Sequence, residues 1–218
     1  MLSVENLSKT FAQPVQVEVF KKLNFSVPKG SSLAIIGASG EGKSTLLQIL
    51  GGLEPASEGN ILLDNIALNE KMRGEKIGFI FQSYNLLEDL SSLENVLLPA
   101  LIARKNTKSK GEIYQRAEKL LGEVGLKNRM HFACRLLSGG EKQRVAIARA
   151  LCMQPSLVLA DEPSGNLDHQ NSRTIHNLLL SCCKESSLII ATHDKELAKL
   201  CTKCYRLENG TLQAQENL

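Results

Sequence analysis

The run SLAIIGASGEGKSTLLQIL, Ser32 to Leu50, constrains the fold more than any other stretch of this chain. Its apolar start is short and uninterrupted, as in a strand buried on both faces, and its end carries Leu46, Leu47, Ile49 and Leu50 at helical spacing. Between them Gly37 to Ser44 matches G-x-x-x-x-G-K-[ST], a pattern with a mechanism when it joins a strand to a helix. The glycines let backbone N–H groups across Gly37, Ala38, Ser39, Gly40, Glu41 and Gly42 approach phosphates. Lys43 reaches the β and γ oxygens as a point charge, the Ser44 hydroxyl can ligate Mg²⁺, and Thr45 stands beside it. The bland alternative is a glycine-rich turn that holds nothing.

Two more short apolar runs, LVLAD from Leu157 and SLIIATHD from Ser187, also end in polar groups. Buried parallel strands with functional groups at their C-terminal ends have this look, and helical patterns follow the runs at about 43–53, 171–184 and 195–200. The chain therefore reads as α/β with a mainly parallel core sheet. Residues 1 to about 30 differ, because Val15, Val17 and Val19, then Leu23, Phe25 and Val27, alternate with polar residues and predict an antiparallel β subdomain. Between Gln82 and Ser138 the pattern is helical, notably Ile113, Ala117, Leu120, Leu121 and Val124, which predicts an inserted α-helical subdomain. Asn209-Gly210 inside YRLENGTLQ predicts a closing hairpin. At 218 residues one unit is expected over 1–218, with a core at about 1–82 and 156–218 and the helical subdomain at about 83–155.

Composition narrows the function classes. A net charge of +3 is too mild for a nucleic-acid binder, so no nucleic-acid partner is expected. The basic cluster Arg104, Lys105, Lys108 and Lys110 lacks apolar periodicity and reads as a solvated loop. The start of the chain carries Glu5 and no apolar h-region, so no signal peptide is expected there. Apolar stretches such as VLLPALIA fall far short of the ~20 residues of a spanning helix, which leaves any membrane role to other chains. The six cysteines follow no secreted framework, which fits a reducing cytosol, and Cys201 and Cys204 are expected to share one helix face rather than bind zinc.

Further chemistry collects at the strand ends. Asp161 and Glu162 are adjacent carboxylates closing a buried run: Asp161 suits Mg²⁺ and Glu162 the orientation or deprotonation of a water, while Pro163 argues against a simple helix cap. His193 closes the next run and is expected at the same sheet edge, near the γ-phosphate or the water. Gln82, after IGFIF, is by itself an ordinary loop residue. In LLSGGEKQRVAIARAL, Ser138, Gly139 and Gly140 precede a helical pattern and form a second anion cradle. A plain N-cap explains the serine alone, and the glycine pair is what a phosphoryl contact explains.

Together these residues resemble the ATP-binding subunits of ABC transporters. GASGEGKST is similar to the Walker A loop, Gln82 to the Q-loop, LSGGEKQ to the signature, LVLADE to Walker B, SGNLD to the D-loop and His193 to the H-loop, in the family's order across nearly the whole chain. The resemblance implies a P-loop NTPase fold, ATP hydrolysis with Mg²⁺, and a head-to-tail homodimer in which each signature faces the partner's γ-phosphate. On that basis Lys43, Ser44, Gln82, Asp161, Glu162 and His193 work in cis, with Ser44, Gln82 and Asp161 around Mg²⁺. Ser138 to Gly140 and the loop around Asp168 work across the interface. Phe11 stands where the family stacks an aromatic ring on adenine, without the usual tyrosine hydroxyl, and Ser164 replaces the more usual threonine.

LGGLEPASEG, IGFIFQSYNLL and LENVLLPALI resemble the branch of the lipoprotein-releasing, macrolide and peptide exporter, and cell-division ATPases, and LGGL with LLPALI leans to the lipoprotein-releasing type. The resemblance implies a peripheral position on the cytoplasmic side of the inner membrane and permease subunits docking near residues 82–100. Tyr84, Leu86 and Leu87 read equally as docking contacts and as core. The alternatives are a macrolide or peptide efflux ATPase, a cell-division ABC complex, a nucleotide-binding scaffold, or a soluble ABC ATPase clamping a macromolecule. Against the last, the chain has neither a long insertion nor a second cassette.

Overall fold

The computed structural model describes residues 1–12 and 15–215. The N-terminal part forms β1 (Leu2–Phe11) and β2 (Val17–Val27), and then come β3 (Ser32–Ile36) and α1 (Lys43–Leu50). Next come β4 (Glu58–Leu63), β5 (Ile66–Ala67), α2 (Glu70–Lys76) and β6 (Ile77–Ile80), then the helices α3 (Ser92–Ile102), α4 (Glu112–Glu123) and α5 (Gly139–Leu151). The remainder alternates as β7 (Leu157–Asp161), α6 (His169–Cys182), β8 (Ser187–Ala191), α7 (Lys195–Leu200), β9 (Lys203–Glu208) and β10 (Thr211–Ala214).

Two sheets result, with orders β2-β1-β4-β5 and β10-β9-β3-β8-β7-β6. In the second, β9, β3, β8, β7 and β6 run parallel and only β10 is antiparallel. Because side chains alternate along a strand, the uninterrupted apolar runs supply two buried faces. Leu33, Ile35, Leu157, Leu159 and Ile189 pack with α1 and the antiparallel sheet. Val158, Ala160, Leu188 and Ile190 pack with α3, α4, α5 and α6. The helices between Ser92 and Leu151 thus share one apolar cluster with the sheet. The hairpin forms as expected, with Asn209 at φ 48° and Gly210 at φ 73° joining β9 to β10, both in the left-handed region such a tight turn uses.

Two expectations are corrected. The Val15–Val17–Val19 alternation does not mark a buried face: Val15 and Val17 are exposed, and β2 buries Phe20, Leu23, Phe25 and Val27. Pairing with β1 slips between Leu7–Leu23 and Lys9–Phe20, with Lys22 at φ 49°, and that extra residue swaps the faces. Cys201 and Cys204 do not share a helix, because α7 ends at Leu200 and Cys204 lies in β9; both pack beside Ala34 and Ile36. The segments β4, β5 and α2 have no counterpart in the hydrophobic pattern, because β4 begins with exposed Glu58, Gly59 and Asn60 and α2 buries no residue.

Candidate active site

The sheet order decides the site. Adjacent parallel strands β3, β8, β7 and β6 end at one edge, and from their ends leave, in that order, the Gly37–Gly42 loop, His193, the Asp161–Glu162 pair and Gln82. A cleft of 470 Å³ there is lined by Ser39, Gly40, Gly42, Lys43, Ser44, Thr45, Gln82, Asp161, Glu162 and His193. Residues separated by about 150 positions in the chain thus meet in one cavity.

The glycine loop is held from behind. A Cβ on Gly37 would come 2.4 Å from the Leu207 carbonyl oxygen of β9, and one on Gly42, at φ 94°, would come 2.3 Å from Val19 Cγ1. A side chain at Gly37 would meet fixed backbone and one at Gly42 would have to displace Val19, so the loop closes tightly and the N-terminus of α1 opens into the cleft. Lys43 donates from Nζ to the carbonyls of Gly37 (2.9 Å) and Ala38 (2.8 Å), which centres the ammonium inside the loop. The Glu41 side chain turns away and accepts from the Asn209 amide at 3.1 Å, tying the loop to the β9–β10 turn.

Asp161 is partly buried at the end of β7, and its Oδ1 has no hydrogen-bond partner. Burial pushes its pKa up and the Glu162 charge adds to this, while a hydrogen bond with Ser44 and the charge of Lys43 oppose it. A buried, unpaired carboxylate oxygen beside a serine hydroxyl is costly by itself and suits a hard cation, so these donors fit Mg²⁺.

Glu162 sits at φ 43°, a strained conformation for its residue type, and its N–H donates to the Ala191 carbonyl at 2.9 Å. Its carboxylate is gripped on two sides. Oε1 accepts from the His193 backbone N–H at 3.1 Å and lies 2.9 Å from His193 Nδ1, and Oε2 accepts from the Thr192 hydroxyl at 3.2 Å. The carboxylate is 15% exposed and the His193 ring 73%, so the ring projects toward whatever occupies the cleft. Asn166 Nδ2 donates to the Gln82 carbonyl at 2.9 Å, which ties the turn after β7 to the segment after β6.

Ser138, Gly139 and Gly140 do not line this cleft. Ser138 caps α5 in a reciprocal box, accepting from the Glu141 N–H while its own N–H donates to Glu141 Oε2 at 2.8 Å. That backbone bond, more than any other contact, lowers the Glu141 pKa. A Cβ on Gly139 would come 3.0 Å from the Tyr84 hydroxyl and one on Gly140 3.4 Å from Asn171 Oδ1, and Asp168 caps α6, accepting from the Asn171 backbone at 3.0 Å. Phe11, at the end of β1, lies outside the cleft with the Lys9 ammonium 4.6 Å from its ring centroid. Tyr84 and Leu86 are half-buried, Leu86 against the helical cluster, while Leu87 is exposed.

Sequence reasoning missed the residues that hold this arrangement. Besides Thr192 and Asn166, the Arg149 guanidinium of α5 donates to the carbonyls of Tyr84 (2.7 Å) and Asn85. Buried Asn95 of α3 donates to the Leu87 carbonyl at 3.0 Å and to Ser91 at 3.1 Å. Each is a single polar residue in an unremarkable context, and its partners are set by the fold.

A strand-end cleft of this composition and a second glycine-bearing helix start outside it define a class, and the profile of the ABC transporter family matches residues 20–165. The chain belongs to the ABC transporter family, as one of its ATP-hydrolysing cassettes. Among its relatives is the lipoprotein-releasing system ATP-binding protein LolD of Protochlamydia amoebophila (strain UWE25), 49% identical over 97% of this chain and 96% of the relative. The protein of the same name from Treponema denticola is 45% identical over 96% of each. Among solved structures, the dimeric MJ0796, described as a bacterial ABC transporter cassette, superposes with a TM-score of 0.86 at 35% identity over 98% of this chain and 97% of that one. The post-hydrolysis dimer of MJ0796 bound to ADP and Pi gives 0.87 at 34% identity, covering 99% of this chain and 98% of that one.

Proposed function

We propose that this chain is the ATPase subunit of a lipoprotein-releasing ABC transporter, working as an ATP-closed homodimer on the cytoplasmic side of the inner membrane. The observation that carries the reading is a division of labour. Lys43, Ser44, Gln82, Asp161, Glu162 and His193 line one cleft, while Ser138 to Gly140 stand apart from it. The near-full-length likeness to proteins named for lipoprotein release supports the cargo class. Among the described residues no helix is long and apolar enough to cross a membrane, which agrees with separate permease subunits docking near residues 82–100. Residues 83–155 form the helical subdomain on a core at 1–82 and 156–218, and Phe11 stacks on the adenine.

In this reading the Gly37–Thr45 loop and Lys43 bind the β- and γ-phosphates. Ser44, Asp161 and Gln82 would hold Mg²⁺, which supplies neutralising charge across the phosphate oxygens. Glu162, aimed by Thr192 and His193, orients a water for in-line attack on the γ-phosphorus and takes its proton as the bond to the ADP oxygen breaks. His193 steadies the γ-phosphate, and the partner's Ser138–Gly140 helix start receives its spread charge. Hydrolysis then loosens the dimer, because ATP joins the two chains.

The testing experiment is purification of the Glu162→Gln variant, trapped with Mg-ATP, from detergent-solubilised membranes, with wild type as control. Recovery of integral membrane subunits bearing large extracytoplasmic domains supports the reading. Recovery of soluble partners alone refutes it.

A further inference from the structure

Outside the cleft the structure holds a buried imidazole that the mechanism does not use. His176 lies in the middle of α6, and its side chain is 2% exposed. Its Nε2 is 2.8 Å from the hydroxyl oxygen of Ser164 and 3.6 Å from Asp194 Oδ2. Ser164 lies two residues after Glu162, in the turn after β7, and Asp194 directly follows His193.

The contact closes a ring around the hydrolytic pair. From Glu162 the Thr192 hydroxyl leads on, since it donates to Glu162 Oε2 at 3.2 Å and accepts from the Asp194 N–H at 3.0 Å. Asp194 caps α7, accepting from the N–H groups of Glu196 (2.7 Å) and Leu197 (3.2 Å) through Oδ1, which leaves Oδ2 toward His176. Ser164 then returns the path to the turn that bears Glu162. The Glu162 carboxylate already bridges the two strand ends through Thr192 and His193, and the Ser164–His176 contact adds a second tie behind it; Glu162 at φ 43° relaxes unless its surroundings hold it.

Burial pushes the imidazole toward its neutral form, with Asp194 and Glu196 opposing and His169 adding to the effect; Arg173 and Lys199 line the same groove. With a carboxylate oxygen beside Nε2, the tautomer carrying its proton there is favoured, so Nε2–H donates to Ser164.

We propose that His176 is a positioning residue for ATP hydrolysis: its side chain, bonded to Ser164 and facing Asp194, locks the turn bearing Glu162 to the turn bearing His193. The inference rests on those two residues being the hydrolytic pair. His176 touches neither nucleotide nor water, so its loss misplaces the pair without removing a phosphate contact.

The test compares His176→Phe, which keeps the ring volume, with His176→Gln, which restores a donor near the Nε2 position, in the full-length chain. ATP hydrolysis is measured with Glu162→Gln as a control, and amide hydrogen exchange is followed over residues 163–168 and 192–194. The expected result is a kcat about tenfold lower for the Phe variant, the scale of small misplacements of reacting groups, with KM for ATP within about twofold. Exchange should quicken in both turns, and the Gln variant should recover most of both. A folded Phe variant with wild-type kcat overturns the proposal, as does a Gln variant as slow as the Phe variant, or unchanged exchange in either turn. A Glu162→Gln control as fast as wild type would instead remove the hydrolytic pair itself.

Discussion

Replacing Asp161 by Asn should make the nucleotide-free protein more stable and the loaded protein less so. Oδ1 of Asp161 is buried without a partner, and burial is the main reason its pKa is raised. A raised carboxyl pKa means that the folded state holds the proton more tightly than the unfolded chain. The stability penalty is therefore absent in acid, grows as pH rises from the ordinary value of 3.8 through the folded value, and is in full force at neutral pH. An unpaired buried acceptor costs about 1–3 kcal/mol, and removing its charge should return about 1 kcal/mol, since an amide oxygen still lacks a partner. For a chain of this size that corresponds to about 2–4 °C in Tm. Saturating ligand works in the opposite direction, adding about 2.7 kcal/mol at a hundredfold excess over Kd, and Asn should forfeit the Mg²⁺-dependent share. The assay is thermal unfolding at pH 7 of wild type and Asp161→Asn, each with EDTA, with ATP plus EDTA, and with Mg-ATP. The expected signature is a crossing: the variant melts higher without ligand and lower with Mg-ATP. A variant that melts below wild type without ligand would refute the burial penalty at Asp161, and one that keeps the full Mg²⁺ increment would refute the placement of the cation there.

Two further outcomes follow from the glycine loop and the second cradle. Gly42→Ala should lose about 1–2 kcal/mol for the left-handed backbone and about 0.5–1.5 kcal/mol more for displacing Val19. Adding Val19→Ala should relieve the second part alone, so denaturant midpoints that are additive across the two changes would contradict the contact at Val19 Cγ1. The lowered Glu141 pKa means that its cap stabilises the fold above the ordinary glutamate value of 4.5 and is lost as pH falls through the lower folded value. Wild type should therefore exceed Glu141→Gln by about 0.3–1 kcal/mol near neutrality, with the gap closing below about pH 4.5. A gap that persists in urea melts at lower pH would show that the charge is not responsible.

The parts of this protein that the sequence determined alone are those whose signal is local. A strand buried on both faces must be apolar throughout, so β3, β7 and β8 were legible as short continuous runs. The glycine loop, the carboxylate pair, the Ser138 cap and the Asn209-Gly210 turn each need particular residue types within a few positions, so they too could be read without a structure. Sequence alone placed Lys43, Asp161, Glu162 and His193 at strand ends, and through the family resemblance gave the second cradle a purpose.

What only the tertiary structure decided depends on strand order and on side-chain reach. That β8 lies between β3 and β7, and so brings His193 against Glu162, is a property of the sheet. The slip at Lys22 that buries Phe20 rather than Val17 depends on pairing with β1, and a one-residue slip inverts a strand's faces whatever its pattern suggests. Thr192, Asn166, Arg149 and His176 carry no motif, because a lone polar side chain takes its meaning from partners that lie from 12 to 84 positions away once the chain has folded.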